Sequence, residues 1–175
     1  MSRLHVLLLL LPAIGCSSEP AAPAVSVPLT PQFTLGTGVT AERLGQATFD
    51  IRNIKRITDD WQVQLKAKDG LDIAVRSFSY APLSQTGWHR HPGPVFIQVL
   101  EGEVTFYEGD DPDCKPIRVG PGESYLDLGE HPHIGRNESE TTPARDLVVL
   151  FGPPGISPDA FRIDAPDPGN CDFPN

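Results

Sequence analysis

From Trp61 the chain reads Trp-Gln-Val-Gln-Leu-Lys-Ala-Lys, with Trp61, Val63, Leu65 and Ala67 at every second position, and this period of two predicts a half-buried strand. Asp69-Gly70 follows, a dipeptide favoured where two strands fold back on each other, so residues 71–80 are expected to return as the second strand of a hairpin. Residues 48–52 alternate weakly. Residues 95–100 make a mostly apolar strand that Glu101-Gly102 turns into residues 103–108, and residues 117–119, 124–128 and 145–151 continue the series. Pro92-Gly93-Pro94 and Gly120-Pro121-Gly122 fall between these runs as turns, and residues 109–116 read as a polar loop. Short strands at even spacing, punctuated by Gly and Pro, predict an all-β domain in the form of a small barrel or sandwich. Nineteen prolines and sixteen glycines in 175 residues agree with that, and no internal repeat of fixed period is present.

The pattern changes at both ends. A basic start at Arg3, an apolar run over residues 6–11 too short to span a bilayer, and the small residues before Cys16 predict a signal peptide over residues 1–15. Ala13-Ile14-Gly15-Cys16 also resembles a bacterial lipobox, which would leave Cys16 lipidated; a plain signal peptide cut nearby is the alternative. Ser17 stands where aspartate marks inner-membrane retention, so an exported protein in the bacterial periplasm, anchored to the outer membrane, is the expected location. Residues 16–33 are rich in Pro, Ala and Ser without an apolar face and read as an extended tether. With Cys16 assigned to lipid, Cys114 and Cys171 remain as an even pair in a disulfide-permitting compartment and are expected to bond. The net charge of −9, nearer −10 once Arg3 is removed, excludes nucleic acid and anionic membrane surfaces as partners, leaving a membrane contact only through the lipid.

The candidate chemistry lies in the histidines. Beyond His5, every histidine belongs to one of two H-x-H pairs, His89-Arg90-His91 and His131-Pro132-His133. Side chains at i and i+2 of an extended strand share a face, so each pair can aim two imidazoles into one cavity. Imidazole is a ligand for zinc, copper, iron and nickel, and two pairs with no stray histidine elsewhere point to a divalent transition metal. Nothing in the chain matches a nucleophile elbow, a phosphate loop or a dinucleotide fingerprint.

Gly87-Trp88-His89-Arg90-His91-Pro92-Gly93-Pro94-Val95, followed by Val99-Leu100-Glu101-Gly102-Glu103, resembles the first motif of the cupin superfamily. Gly120-Pro121-Gly122, Gly129, His133 and Asn137 echo the second. The resemblance covers residues 47–152 and implies a single small β-barrel of jelly-roll type, with residues 34–46 as a lead-in and residues 153–175 as an irregular tail pinned by Cys171. It implies His89, His91 and His133 as ligands of one metal, Fe, Mn, Zn, Ni or Cu. The usual glutamate ligand of the first motif is missing: Val95 holds its position, or Phe96 if the register slips by one. His131 and Gln98 are then the candidates for a fourth ligand or for a residue supporting the ligands, Gln98 only in the slipped register.

Three imidazoles leave a divalent ion with open positions, as catalytic rather than structural sites do. In ligand type this resembles the all-histidine cupins such as thiol and diketone dioxygenases. Three readings remain: a metal-dependent, dioxygenase-like enzyme acting on a small molecule; a module binding metal or ligand without turnover; and a degenerate cupin without metal. Many cupins pair through their sheets, so the resemblance admits a homodimer.

Overall fold

The structure, a computed structural model, describes residues 36–173; the segments 1–15 and 16–33 with Cys16 lie outside the described residues. Within them run β1 (Thr37–Phe49), β2 (Asn53–Ile57), β3 (Gln62–Lys66), β4 (Leu71–Gln85), β5 (His89–Arg90), β6 (Val95–Glu101), β7 (Val104–Glu108), β8 (Ile117–Val119), β9 (Ser124–Asp127), β10 (His133–Asn137), β11 (Ala144–Gly152) and β12 (Ile163–Asp164). A single 3-10 turn, Pro158–Phe161, stands between β11 and β12. The all-β architecture expected from the sequence is the one observed.

β4 organises the barrel. Along one edge it pairs with β1, from Phe49↔Leu71 to Val39↔Tyr80, and along the other with β11, from Gly152↔Asp72 to Ala144↔Tyr80. β11 carries the sheet on to β6 and β6 to β9, while the far end of β4 meets β10 at Arg136↔Gln85. β10 pairs with β7 and with β5, so the sheet curls back on itself into a nearly closed barrel. Alternation then decides what points inward. Val95, Val99, Val104, Phe106, Leu150 and Phe161 are each no more than 2% exposed, and burying each apolar side chain contributes about 2 kcal/mol. Gly102 makes the β6–β7 turn with φ of +69°, where a Cβ would sit 2.4 Å from the carbonyl oxygen of Pro143, so only glycine fits.

The expected hairpin across Asp69-Gly70 does not form. β3 pairs with β2 instead, Ile54 opposite Leu65, in a separate two-stranded sheet that leaves Trp61 58% and Val63 45% exposed. The reason is competition: over residues 71–80 both edges of β4 are already filled, by β1 and by β11. Residues 37–46, read from the sequence as a lead-in, are the first part of β1 and bond along β4.

The C-terminal residues are likewise built into the fold. Phe161 is fully buried in the main core, Ile163 and Asp164 pair with β5, and Ala165 is 4% exposed. Cys171 bonds to Cys114 across a sequence separation of 57 and packs in a second buried cluster with Trp88, Tyr107 and Ile134. On the inward face of β11, between Ala144 and Val148, Asp146 is fully buried; its Oδ2 accepts a hydrogen bond of 2.9 Å from the Tyr80 hydroxyl. Burial dominates over that bond and pushes the Asp146 carboxyl up to about 7.

Two expectations follow. Closing a loop of this length restricts the unfolded chain by about 4 kcal/mol, so reduction, or Cys171→Ala, should lower the melting temperature by about 10 °C; calorimetry with and without reductant checks it. A carboxyl whose pKa is raised on folding stabilises the protein at low pH and loses that contribution as pH rises to about 7. Asp146→Asn keeps an oxygen for Tyr80 and removes the charge. Its stability gain over the parent should therefore grow between about pH 4 and about pH 7 to a few kcal/mol and stay level above, as read by urea denaturation across pH.

Candidate metal centre

The first H-x-H pair sits where β5 crosses the barrel mouth, and β5 lies against β10 with His89 directly opposite His133. This antiparallel pairing joins two sequence segments into one site. His89, His91 and His133 are 6%, 9% and 2% exposed, and one ring nitrogen from each lies within 4.8 Å of the others.

Each ring is turned by what holds its Nδ1. His89 Nδ1 donates to the Gly87 carbonyl at 2.8 Å and His91 Nδ1 to the Phe161 carbonyl at 2.5 Å. A carbonyl can only accept, so these two nitrogens carry the protons and leave Nε2 with a free lone pair. His133 Nδ1 faces Asp127 Oδ2 at 3.5 Å, and both atoms are buried with no hydrogen-bond partner. The same Asp127 oxygen is 4.0 Å from His91 Nε2, while Oδ1 accepts from the Gly129 amide at 2.8 Å.

Burial sets the charge states. It pushes the pKa of His91 down to about 4, and those of His89 and His133 well below the usual imidazole range, with the neighbouring rings adding to the effect. Burial also raises the Asp127 carboxyl to about 6, against the bond from Gly129. At neutral pH the site is therefore three neutral imidazoles beside one carboxylate. The rings face a cavity of about 170 Å³ whose apolar walls include Phe78, Val95, Ile97, Phe106, Val148 and Leu150.

Val95 is fully buried on the cavity face and Phe96 is 51% exposed on the opposite one. No carboxylate comes from β6. Gln98 points outward, beside Ser124 and Leu147, and does not reach the triad. His131 is a second correction: its side chain is 55% exposed and its Nε2 stands 3.6 Å from Asp110, away from the three rings. The H-x-H rule holds only on extended strand, and β10 begins at His133. The chain before it turns, with the Pro132 carbonyl accepting from the Gly109 amide at 2.7 Å.

Four residues at the site were not singled out from the sequence. Asp127 lies directly across from Val95 in the β6–β9 register, so the next strand brings a carboxylate beside the position that lacks one. Alternation could have found it, since Tyr125 and Asp127 share the buried face of β9. The same rule applies to Arg76, which follows Ala74 on the inward face of β4 and lines the cavity. Phe161 and Arg162 come from the tail, where no periodicity announces them.

No curated protein matches the chain. Among solved structures it is similar to a cupin superfamily protein from Desulfitobacterium hafniense, at 14% identity over 65% of this chain and 77% of that one, with a TM-score of 0.45. It is also similar to the polyketide cyclase RemF from Streptomyces resistomycificus, at 20% identity over 72% and 78% with a TM-score of 0.45. A third likeness is to the DMSP lyase DddQ from Ruegeria pomeroyi, at 25% identity over 49% and 41% with a TM-score of 0.42. Residues 76–150 match the family model described as the cupin domain, and His89, His91, His133 and Asp127 all fall within that span.

Proposed function

We propose that this is an exported protein, lipid-anchored through Cys16 in the bacterial periplasm, whose barrel holds one divalent transition metal through His89, His91 and His133 and acts there on a small molecule, with oxygenase chemistry as the reaction class. The observation that carries the reading is the arrangement of the three rings: neutral, buried, two of them oriented by backbone carbonyls, and all grouped within 4.8 Å on one cavity. Such a donor set suits Fe, Mn, Zn, Ni or Cu and not the hard cations that need oxygen ligands.

A bound ion would supply Lewis acidity and open positions for a small molecule. The rest is done by the chain. The Gly87 and Phe161 carbonyls hold the protons of His89 and His91 at Nδ1, and Asp127 stands where it can do the same for His133 while contributing the negative charge that position 95 lacks. The apolar walls keep bulk water from the site. Export is supported by the Cys114–Cys171 bond, which persists in oxidising compartments.

Metal analysis of tag-free protein should find close to one transition ion per chain, and His91→Ala or His133→Ala should abolish uptake while circular dichroism stays that of a β-barrel. Asp127→Asn should weaken affinity by about 10- to 100-fold. An apo protein that takes up no ion would sink the metal-centre reading, and a loaded protein that consumes no oxygen with any thiol or diketone substrate would sink the reaction class. For location, Cys16→Ser should move the protein from the membrane fraction to the soluble periplasmic fraction; an unchanged distribution would refute the anchor.

A further inference from the structure

Two arginines line the cavity beside the histidines; Arg162 is paired with Asp164, while Arg76 makes no ion pair among the described residues. Arg76, on the inward face of β4, is only 9% exposed. One of its terminal nitrogens donates to the Pro158 carbonyl and its guanidinium lies 5.7 Å from the centre of the Phe161 ring. Its Nε–H is buried with no hydrogen-bond partner among the described residues. A buried guanidinium with an unspent N–H is costly unless an acceptor completes it. Arg162, from the tail, lines the same cavity; its Nε donates to Asp164 Oδ1 at 2.6 Å. Asp159, the acid that acts on Arg76, is engaged by Arg43. Among the described residues, no acidic one lines the cavity.

Arg162 also marks the way in. With Ala41, Phe78 and Thr86 it is shared between this cavity and an outer vestibule that Asp164 borders. A ligand passing inward therefore meets Arg162 first, then Arg76 and the rings. Apart from Thr86, the arginines and the rings, the side chains lining the cavity are apolar.

We propose that the cavity takes a small organic carboxylate, its carboxylate group held by Arg76 and Arg162 and its short apolar body against the barrel wall. A planar guanidinium matches a carboxylate with paired, charge-assisted bonds, and a cavity of about 170 Å³ admits only a small molecule. The assignment deepens the proposed function and rests on it for the ligand's other end, which lies toward the three rings.

The test uses pyruvate and its uncharged counterpart pyruvamide as probes, titrated calorimetrically into the full-length protein, both metal-free and loaded with Zn²⁺. Pyruvate should bind at least about ten-fold more tightly than pyruvamide, the value of a charge-assisted bond. Arg76→Gln and Arg162→Gln should each remove most of that preference and leave pyruvamide binding within about two-fold. Because Arg76 also holds Pro158, its loss can disturb the fold, and Arg162→Gln at a partly exposed residue is the decisive variant. Equal binding of the two probes, no pyruvate binding at millimolar concentration, or an unchanged preference in Arg162→Gln would overturn the proposal. Inorganic phosphate bound as tightly as pyruvate would overturn it in favour of a general anion site. If the protein takes up no metal yet still prefers pyruvate, the metal centre fails and the carboxylate site stands; metal uptake without preference gives the reverse.

Discussion

The cavity exists because β5 and β10 lie antiparallel with His89 opposite His133. Every other element of the site is arranged around that contact. It sets two imidazoles side by side, and the chain leaving β5 then has room to turn His91 toward them. Three neutral rings among apolar walls would each carry an unmet N–H were there no acceptor behind it. The barrel supplies one for two of the rings, the Gly87 carbonyl just before β5 and the Phe161 carbonyl after β11, and stands the Asp127 carboxylate at the end of β9 3.5 Å from the third. The site is thus held by the backbone of two separate segments as much as by its own side chains.

Much of this was legible in the alternation of residues. The strands that carry the core, and the triad itself, follow from period-two patterning and from a family motif. Where that reading failed, a tertiary competitor explains it. The Asp69-Gly70 turn favours a hairpin locally, yet the long β1 strand takes the edge that β3 would need, and a local preference worth about 1 kcal/mol yields to a pairing that runs through ten residues. His131 failed for a different reason: the rule that i and i+2 share a face presumes an extended chain, and the strand starts two residues too late for it. Asp127 and Arg76 could have been found, because a lone charge on the inward face of an amphipathic strand is itself a signal. The tail could not, since its contribution comes through one backbone carbonyl and one arginine that no pattern marks.

The buried charges divide the barrel into two electrostatic regions. Near Asp146 and Tyr80 the fold tolerates a carboxyl by giving it a hydroxyl donor and letting burial favour the protonated form. Around the triad it does the opposite, keeping the rings neutral while leaving Asp127 and Arg76 each with an unsatisfied atom. Unmet polar groups in a core lower stability, and others lie elsewhere in the fold, on Ser84, Arg136, Asp146 and Asn170, so it is the cavity beside Arg76, and not the unmet atom alone, that marks a place for a ligand.

The dependence of His91 on the Phe161 carbonyl also orders events in time. A chain synthesised from its N-terminus makes every strand from β1 through β11 before Phe161 and Arg162 appear, so the barrel wall can close while one ring still lacks its anchor. Competence to hold a ligand therefore arrives with Phe161 and Arg162, after strands β1 through β11 rather than along with them.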